Sequence, residues 1–382
     1  MDRSHPAAAP QSPMYGGCIP EVSIIVPARN EEGNLAGCLE SLNAQAGVAF
    51  EIIVVDDSST DRTREIAQSF GGVRVLSPPP IPQGWTGKNN ALVAGAEAAR
   101  SHSHWLLFTD ADTVHLPGSL ARALEEAKKD QADLLSYSPE QVVVTFAERA
   151  VMPVVFAELA AQYPPRKVRE QNSGVVAANG QYILVRRSAY DATGGHTAVA
   201  TEILEDVALA RRFRNAGYRV HFRYGGDAVR TRMYRNWPQL REGWIKNLAL
   251  LFPRTRFLAL RILLSWSIAW SSIAGAAGAA YSWSWTSTWI AIGIVATVLW
   301  ILMYRRIRAA HFSTTNSLLA VTFGVPMFAY LLVRSNAAHA RGKVSWKGRQ
   351  YSVSTPSKNT SAKAQGVQPI SSRDNQQLRT EN

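Results

Sequence analysis

Two groups of carboxylates stand at the ends of short apolar runs, and their spacing invites chemistry. Asp110-Ala111-Asp112 follows Trp105–Thr109, and Asp56-Asp57 follows Phe50–Val55. In an extended segment, alternate residues share a side, so Asp110 and Asp112 can point the same way. A hard divalent cation takes oxygen ligands, often one or two carboxylates completed by phosphate oxygens. The pair therefore suits a metal–diphosphate site, with a solvated turn as the plain alternative. Asp57 can accept hydrogen bonds from a base or a ribose. The plain alternative there is helix capping by Ser58, Ser59 or Thr60. In Trp85-Thr86-Gly87-Lys88, Gly87 permits close backbone approach and Lys88 is a point charge for phosphate near a helix start. Taken alone, Lys88 reads more readily as a surface lysine. Glu205-Asp206 opens a helix, where a carboxylate is stabilised by the helix dipole or acts as a general base on an acceptor hydroxyl.

The elements that must hold these groups read as alternating strands and helices. Glu21–Pro27, Phe50–Val55, Val73–Leu76 and Trp105–Thr109 are β-branched or apolar runs of strand length. Between them, Asn30–Ala44 reads as a helix with Asn30 as its N-cap, followed by helices at Arg62–Phe70 and Asn89–Arg100. This order predicts a mostly parallel sheet with helices on both faces. Ligands in such sheets bind at the carboxyl ends of strands, where both acidic groups lie. Further on come a strand within 133–145, an apolar helix Glu148–Gln162, a turn and strand at Gly174–Val185, and a helix Glu205–Ala216 with Gly217 after it. Gly180-Gln181-Tyr182 and Gly194-Gly195-His196 read as turns. Arg232-Met233-Tyr234 and Gly243-Trp244-Ile245-Lys246-Asn247 precede the most apolar part of the chain.

The chain has 382 residues, 46% hydrophobic, and a formal net charge of +12. The apolar residues concentrate in Phe257–Tyr281, Thr288–Tyr304 and Leu318–Val333. The first two are long enough to cross a bilayer core of about 30 Å and the third is marginal. Basic residues flank them: Arg254, Arg256 and Arg261, then Arg305, Arg306 and Arg308, then Arg341, Lys343, Lys347 and Arg349. That placement favours a membrane over a nucleic-acid partner, because the charge follows apolar spans rather than an aromatic groove. Three full crossings would put Arg341–Arg349 opposite the carboxylates, against the positive-inside rule. One stretch is therefore expected to be re-entrant or interfacial. Residues 1–20 have no apolar signal region and read as a flexible leader, and residues 353–382 as a disordered tail. Two cysteines, Cys18 and Cys38, give no zinc or disulfide framework. The expected organisation is 1–20 leader, 21–255 catalytic domain, 256–335 membrane helices, 336–352 basic segment and 353–382 tail.

Taken in order, Val26-Pro27-Ala28-Arg29-Asn30-Glu31-Glu32, Val54–Asp61, Asp110-Ala111-Asp112, Gly180-Gln181 and Leu204-Glu205-Asp206-Val207 resemble the family 2 glycosyltransferases, inverting enzymes of the GT-A fold. Gly84–Lys88, Arg232–Tyr234, Gly243–Asn247 and Trp346–Arg349 extend the likeness to the membrane glycosyltransferases of bacterial hopanoid and carotenoid pathways. The resemblance covers about residues 21–351. It implies a nucleotide pocket lined by Pro27, Ala28, Asn30 and Glu31, with Asp57 holding the base and Lys88 near the diphosphate. It implies Asp110 and Asp112 binding the donor with Mg or Mn, and Asp206 as general base. Gly180, Gln181, Glu205 and Trp244 are expected at the sugar and acceptor site. The expected partners are a nucleotide-sugar, most often a UDP-sugar in relatives, a lipid-like acceptor and a membrane, but no nucleic acid. The expected place is the inner membrane, multi-pass, with the catalytic domain in the cytoplasm.

One departure narrows the reading. Processive relatives carry Q-x-x-R-W before the membrane, whereas Leu240 and Gly243 precede Trp244 here. A single transfer is therefore expected, with a processive polysaccharide synthase or a non-catalytic membrane scaffold as the competing readings.

Overall fold

The computed structural model describes residues 20–99, 103–281, 287–346 and 349–352. The expected leader (save residue 20), the tail and Lys347-Gly348 lie outside the described residues. The chain opens with β1 (Val22–Ala28), α1 (Leu35–Asn43), β2 (Phe50–Asp56), α2 (Thr63–Ser69), β3 (Val73–Leu76), α3 (Gly87–Ala98) and β4 (Trp105–Phe108). It continues through β5 (Thr113–His115), α4 (Ser119–Lys129), β6 (Leu134–Ser138), β7 (Glu140–Gln141), α5 (Phe146–Gln162) and α6 (Pro165–Arg169). Then come β8 (Ile183–Arg186), α7 (Arg187–Ala192), α8 (Glu205–Asn215), β9 (Val220–Tyr224), β10 (Val229–Thr231) and α9 (Trp237–Leu251).

Seven strands form one sheet in the order β3-β2-β1-β4-β8-β6-β9. Only β8 runs antiparallel to its neighbours, β4 and β6. The expected mostly parallel α/β architecture of the GT-A type is what the chain adopts. β1 and β4 are buried along nearly their whole length because helices cover both faces. One layer packs Leu35, Leu39, Leu120 and Leu124 against the sheet, and the other packs Leu92, Leu209 and Phe213. Gly95 of α3 lies so close to the Ile25 side chain that a Cβ there has no room. This brings the helix, and Lys88 in its first turn, down onto the sheet.

Several local expectations shift. The helix expected from Asn30 begins at Leu35. Asn30 instead sits at φ 52 in the left-handed region, which Asn tolerates better than most residues. Its Oδ1 accepts from Thr60 N at 2.9 Å, and its own N–H donates to Ser59 Oγ at 3.0 Å. Glu31 N–H likewise donates to Thr63 Oγ1 at 2.7 Å. The Ser/Thr/Asp run after β2 is therefore spent on stitching two loops together, and neither Ser59 nor Thr60 caps α2. The helix expected from Asn89 begins at Gly87, capped by Thr86 Oγ1, which accepts from Asn89 N at 3.1 Å.

The rest of the chain is helical: α10 (Thr255–Tyr281), α11 (Ser287–Arg308), α12 (Thr314–Leu319), a π-helical turn Ala320–Gly324 and α13 (Val325–Ala340), before the hairpin β11 (Lys343–Trp346) and β12 (Arg349–Ser352). Among the described residues, three helical stretches are long and apolar enough to cross a membrane: Thr255–Gly275, Ile290–Arg308 and Thr314–Ala340. The third is longer than its apolar run suggested, because the helix continues through Arg334 and His339. A separate core of α5, α9 and these helices, including Trp244, Leu248, Phe328 and Leu332, joins the two parts.

Candidate active site

A single cavity of ≈ 1130 Å³ opens over the carboxyl ends of the strands. Pro27, Ala28, Asn30, Glu31 and Asp57 line one end of it. Lys88, Asp110, Asp112, Gly180 and Gln181 line its middle, with Glu205, Asp206 and Trp244 beside them. The residues expected at the donor, metal, acceptor and base positions thus all line one space. His196 does not line it: the ring is buried, shares a 3.0 Å hydrogen bond with Tyr190 Oη and packs edge-on against Phe108.

The Asp110–Asp112 segment is a turn rather than an extended strand. Asp110 O accepts from Thr113 Oγ1 at 2.7 Å, and Asp112 O from Thr231 Oγ1 at 3.1 Å. Below it, Thr109 Oγ1 lies 3.0 Å from Thr113 Oγ1 and 3.1 Å from His115 Nε2. Burial drives the His115 pKa down to about 3, so the imidazole stays neutral as a fixed hydrogen-bonding post. Gln181 belongs to the same scaffold, since its Nε2 donates to Thr231 Oγ1 at 3.1 Å and its carbonyl accepts from Thr109 Oγ1 at 2.8 Å. Thr109, Thr113, His115 and Thr231 were not singled out from sequence; the hydroxyls and imidazole flanking Asp-Ala-Asp were the available signal.

The centre of the cavity is an ionic cluster. Lys88 Nζ lies 2.8 Å from Asp110 Oδ1 and 2.7 Å from Glu205 Oε1. Lys88 is thus no ordinary surface lysine. Burial acts to lower its pKa, but Asp110 and Glu205 outweigh that and hold it well above the usual lysine range. Burial likewise acts to raise Glu205, and the Lys88 charge overrides it and lowers the carboxyl. Asp110 is raised, burial outweighing the help of Lys88.

Asp206 is different. Burial, reinforced by the Glu205 charge, pushes its pKa up to about 6. Its Oδ2 accepts from Gly180 N at 2.9 Å and its Oδ1 from Val207 N at 2.8 Å, which fixes the carboxylate. A Cβ on Gly180 would come to 3.0 Å from Lys88 Nζ and 3.3 Å from Glu205 Oε1. A side chain there would crowd the cluster, and Lys88 and Glu205 would have to give way by a few tenths of an ångström. Lys246 of α9, a second cation lining the cavity, has its pKa lowered by burial.

Oxygen donors dominate the centre, where the carboxylates of Asp110, Asp112, Glu205 and Asp206 line the cavity beside Lys88 and Lys246; further acidic and basic side chains line the rest of it. Among the described residues, no group of three or more His, Cys, Asp or Glu side chains is disposed to cage a metal. Two carboxylates completed by substrate phosphate oxygens are the usual surroundings of Mg²⁺. The residues present therefore fit such an ion.

Away from the carboxylates the cavity turns apolar. Phe156 and Leu159 of α5, Trp244 and Leu251 of α9, and Ala310 and Phe312 after α11 form its wall. Trp244 is buried and donates from Nε1 to Met152 Sδ at 3.4 Å. A Cβ on Gly243 would lie 2.5 Å from the Tyr234 ring, so a side chain at the position held by Arg in processive relatives would require that ring to move.

This fold, with an acidic turn at a strand end and a buried carboxylate across the cavity, is that of a glycosyltransferase. Residues 23–194 match the model of glycosyl transferase family 2. Over 348 residues it is 29% identical to the 4,4'-diaponeurosporenoate glycosyltransferase of Staphylococcus aureus, covering 87% of this chain and 88% of that one. Similar solved structures include a mannosyltransferase of Pyrobaculum calidifontis with GDP-mannose and Mn²⁺ (TM-score 0.45, 16% identity, 85% of this chain and 88% of that one). Another is residues 1–349 of TarS from Staphylococcus aureus (TM-score 0.41, 15% identity, 86% and 95%).

Proposed function

We propose that this glycosyltransferase moves one sugar, with inversion, from a nucleotide-diphosphate sugar, first of all a UDP-sugar, to a lipid-like acceptor at the cytoplasmic membrane face. The observation that carries the reading is the cavity itself, which joins the acidic strand ends to an apolar wall through the Lys88–Glu205–Asp206 cluster. Asp57 takes the base, in a pocket edged by Pro27, Ala28, Asn30 and Glu31. Asp110 and Asp112 would hold Mg²⁺ or Mn²⁺, which when bound offsets charge on the departing diphosphate. Lys88 adds a fixed positive charge on the same side. Asp206 takes the proton from the acceptor as the acceptor oxygen attacks the anomeric carbon, and the nucleotide diphosphate leaves from the opposite face. Its pKa of about 6 leaves it ionised at neutral pH yet basic enough to accept a proton. Gly180 and Gln181 bound the sugar, and Glu205 and Trp244 bound the acceptor. The carotenoid acid named for the Staphylococcus relative is the kind of long apolar acceptor that the Phe156–Trp244–Phe312 wall fits.

The deciding experiment is calorimetry on detergent-purified protein with UDP, GDP and their sugars, with Mg²⁺ or Mn²⁺ and then with chelator. Metal-dependent binding of one nucleotide, abolished in Asp112→Ala, is expected. Folded protein that binds none of them overturns the donor assignment.

A further inference from the structure

A helix that crosses a bilayer has its two ends on opposite sides, and the third apolar stretch does not meet that condition. At its start, Asn316 Oδ1 accepts from Arg149 Nε of α5 at 2.8 Å. Just before it, His311 stacks on Tyr224 of β9 with centroids 3.9 Å apart. At its far end, Ser335 Oγ donates to Ile245 O at 2.7 Å, and the His339 ring shares a 2.8 Å hydrogen bond with Lys246 O, both on α9. Its middle is held too, since Gly324 lies directly against the Ala150 carbonyl of α5 with no room for a side chain. Beginning, middle and end thus rest on the catalytic domain. Half of this stretch is buried in the protein, against 24% and 11% for the other two.

The other two helices behave differently. Arg261 of α10 and Arg306 of α11 both donate to Glu158 Oε2 of α5, at 3.0 and 2.8 Å. Past this clamp, residues 262–281 and 287–304 carry no charge. Each is about 20 residues, which at 1.5 Å per residue reaches about 30 Å, one bilayer core. The clamp marks the catalytic-side boundary of the membrane.

We propose that the chain crosses the bilayer twice, by α10 and α11, and that the Thr314–Ala340 helix lies along the interface as the face on which the catalytic domain sits on the lipid. Its inner stripe, Ser317, Val321, Gly324, Phe328 and Leu332, is buried, while Leu318, Phe323, Tyr330 and Val333 are exposed. Exposed Phe146, 5.5 Å from Phe323, and Val144 extend that apolar face from the catalytic domain. The face continues into the lipid-exposed sides of α10 and α11, where Leu264 and Ile294 are exposed. The occupant is therefore the bilayer. Two crossings also return Arg341 and Lys343 to the catalytic side, in accord with the positive-inside rule.

The proposal rests on the membrane attachment proposed above but not on the donor or acceptor. It is tested by cysteine labelling in sealed membrane vesicles of known orientation, with a membrane-impermeant maleimide. The parent carries Cys18→Ser and keeps Cys38, whose side chain is fully buried. Three single variants add Ser59→Cys in the catalytic domain, Ser284→Cys between α10 and α11, and Ser352→Cys after the basic segment. The expected result is Ser59→Cys and Ser352→Cys labelled from one side and Ser284→Cys only from the other. Ser352→Cys labelled from the side opposite Ser59→Cys means three crossings and overturns the proposal. All three labelled from one side means no crossing, and overturns the membrane reading as well.

Discussion

Asp206 and Lys88 share one electrostatic field, and their predictions are coupled. A base with a pKa of about 6 gives a rate that falls as pH drops through 6, because protonation removes the acceptor of the proton. Asp206→Asn is expected to lower kcat by about 10²–10⁴-fold and to abolish that acid limb, as read from a pH–rate profile. The stability effect has the opposite sense. A carboxyl raised in the folded state stabilises at low pH and loses that contribution as pH rises through its folded pKa. Above pH 6 the ionised Asp206 therefore costs stability, and Asp206→Asn is expected to raise Tm at pH 7 by thermal denaturation. The Lys88 charge lowers the Asp206 pKa. Lys88→Met is thus expected to move the acid limb to higher pH, besides weakening donor binding; an unmoved limb would show that another group titrates.

At the scale of elements, close backbone approaches set the architecture. Gly95 seats α3 on β1, Gly180 lets a loop lie over the ionic cluster, and Gly243 lets Tyr234 pack on α9. Gly243→Arg, which would restore the residue of processive relatives, is expected to destabilise by about 1–3 kcal/mol through overpacking against Tyr234. A urea or thermal melt measures this, and product analysis is expected to show no longer glycan. The long apolar helices are tied to the catalytic domain through α5, whose N-terminus is fixed by a capping box between Thr145 and Glu148. Glu148 in turn bonds Arg232 at 3.1 Å. The stretch before α9, which lines the cavity, is thereby held to the helix that packs against the long apolar helices.

For the whole molecule, the cavity runs from acidic strand ends to an apolar wall beside the long apolar helices. On the function proposed above, an apolar acceptor would meet a water-soluble donor in this cavity without leaving the bilayer surface. Transfer is expected to stop on chelation and to return with Mg²⁺ or Mn²⁺, because an ion held at Asp110 and Asp112 would offset charge on the departing diphosphate. Product mass is expected to increase by one sugar only, as mass spectrometry of the lipid extract reads directly.

The sequence by itself determined the alternation of strands and helices, the acidic groups at strand ends and the apolar stretches, because each is a local pattern of residue types. It also pointed to Asp110, Asp112, Glu205 and Asp206, since short polar clusters after apolar runs are visible along the chain. It did not reveal that Asn30 would adopt a left-handed turn, because its partners Ser59 and Thr60 lie on another loop. Nor did it reveal that Lys88 would join Asp110 to Glu205, or that Thr109, Thr113, His115 and Thr231 would hold the acidic turn from beneath. The third apolar stretch makes the same point: composition left it marginal as a crossing helix, and only contacts with Arg149, Ala150 and Ile245 lay it along the catalytic domain. Those outcomes depend on contacts between residues far apart in the chain, which only the tertiary structure brings together.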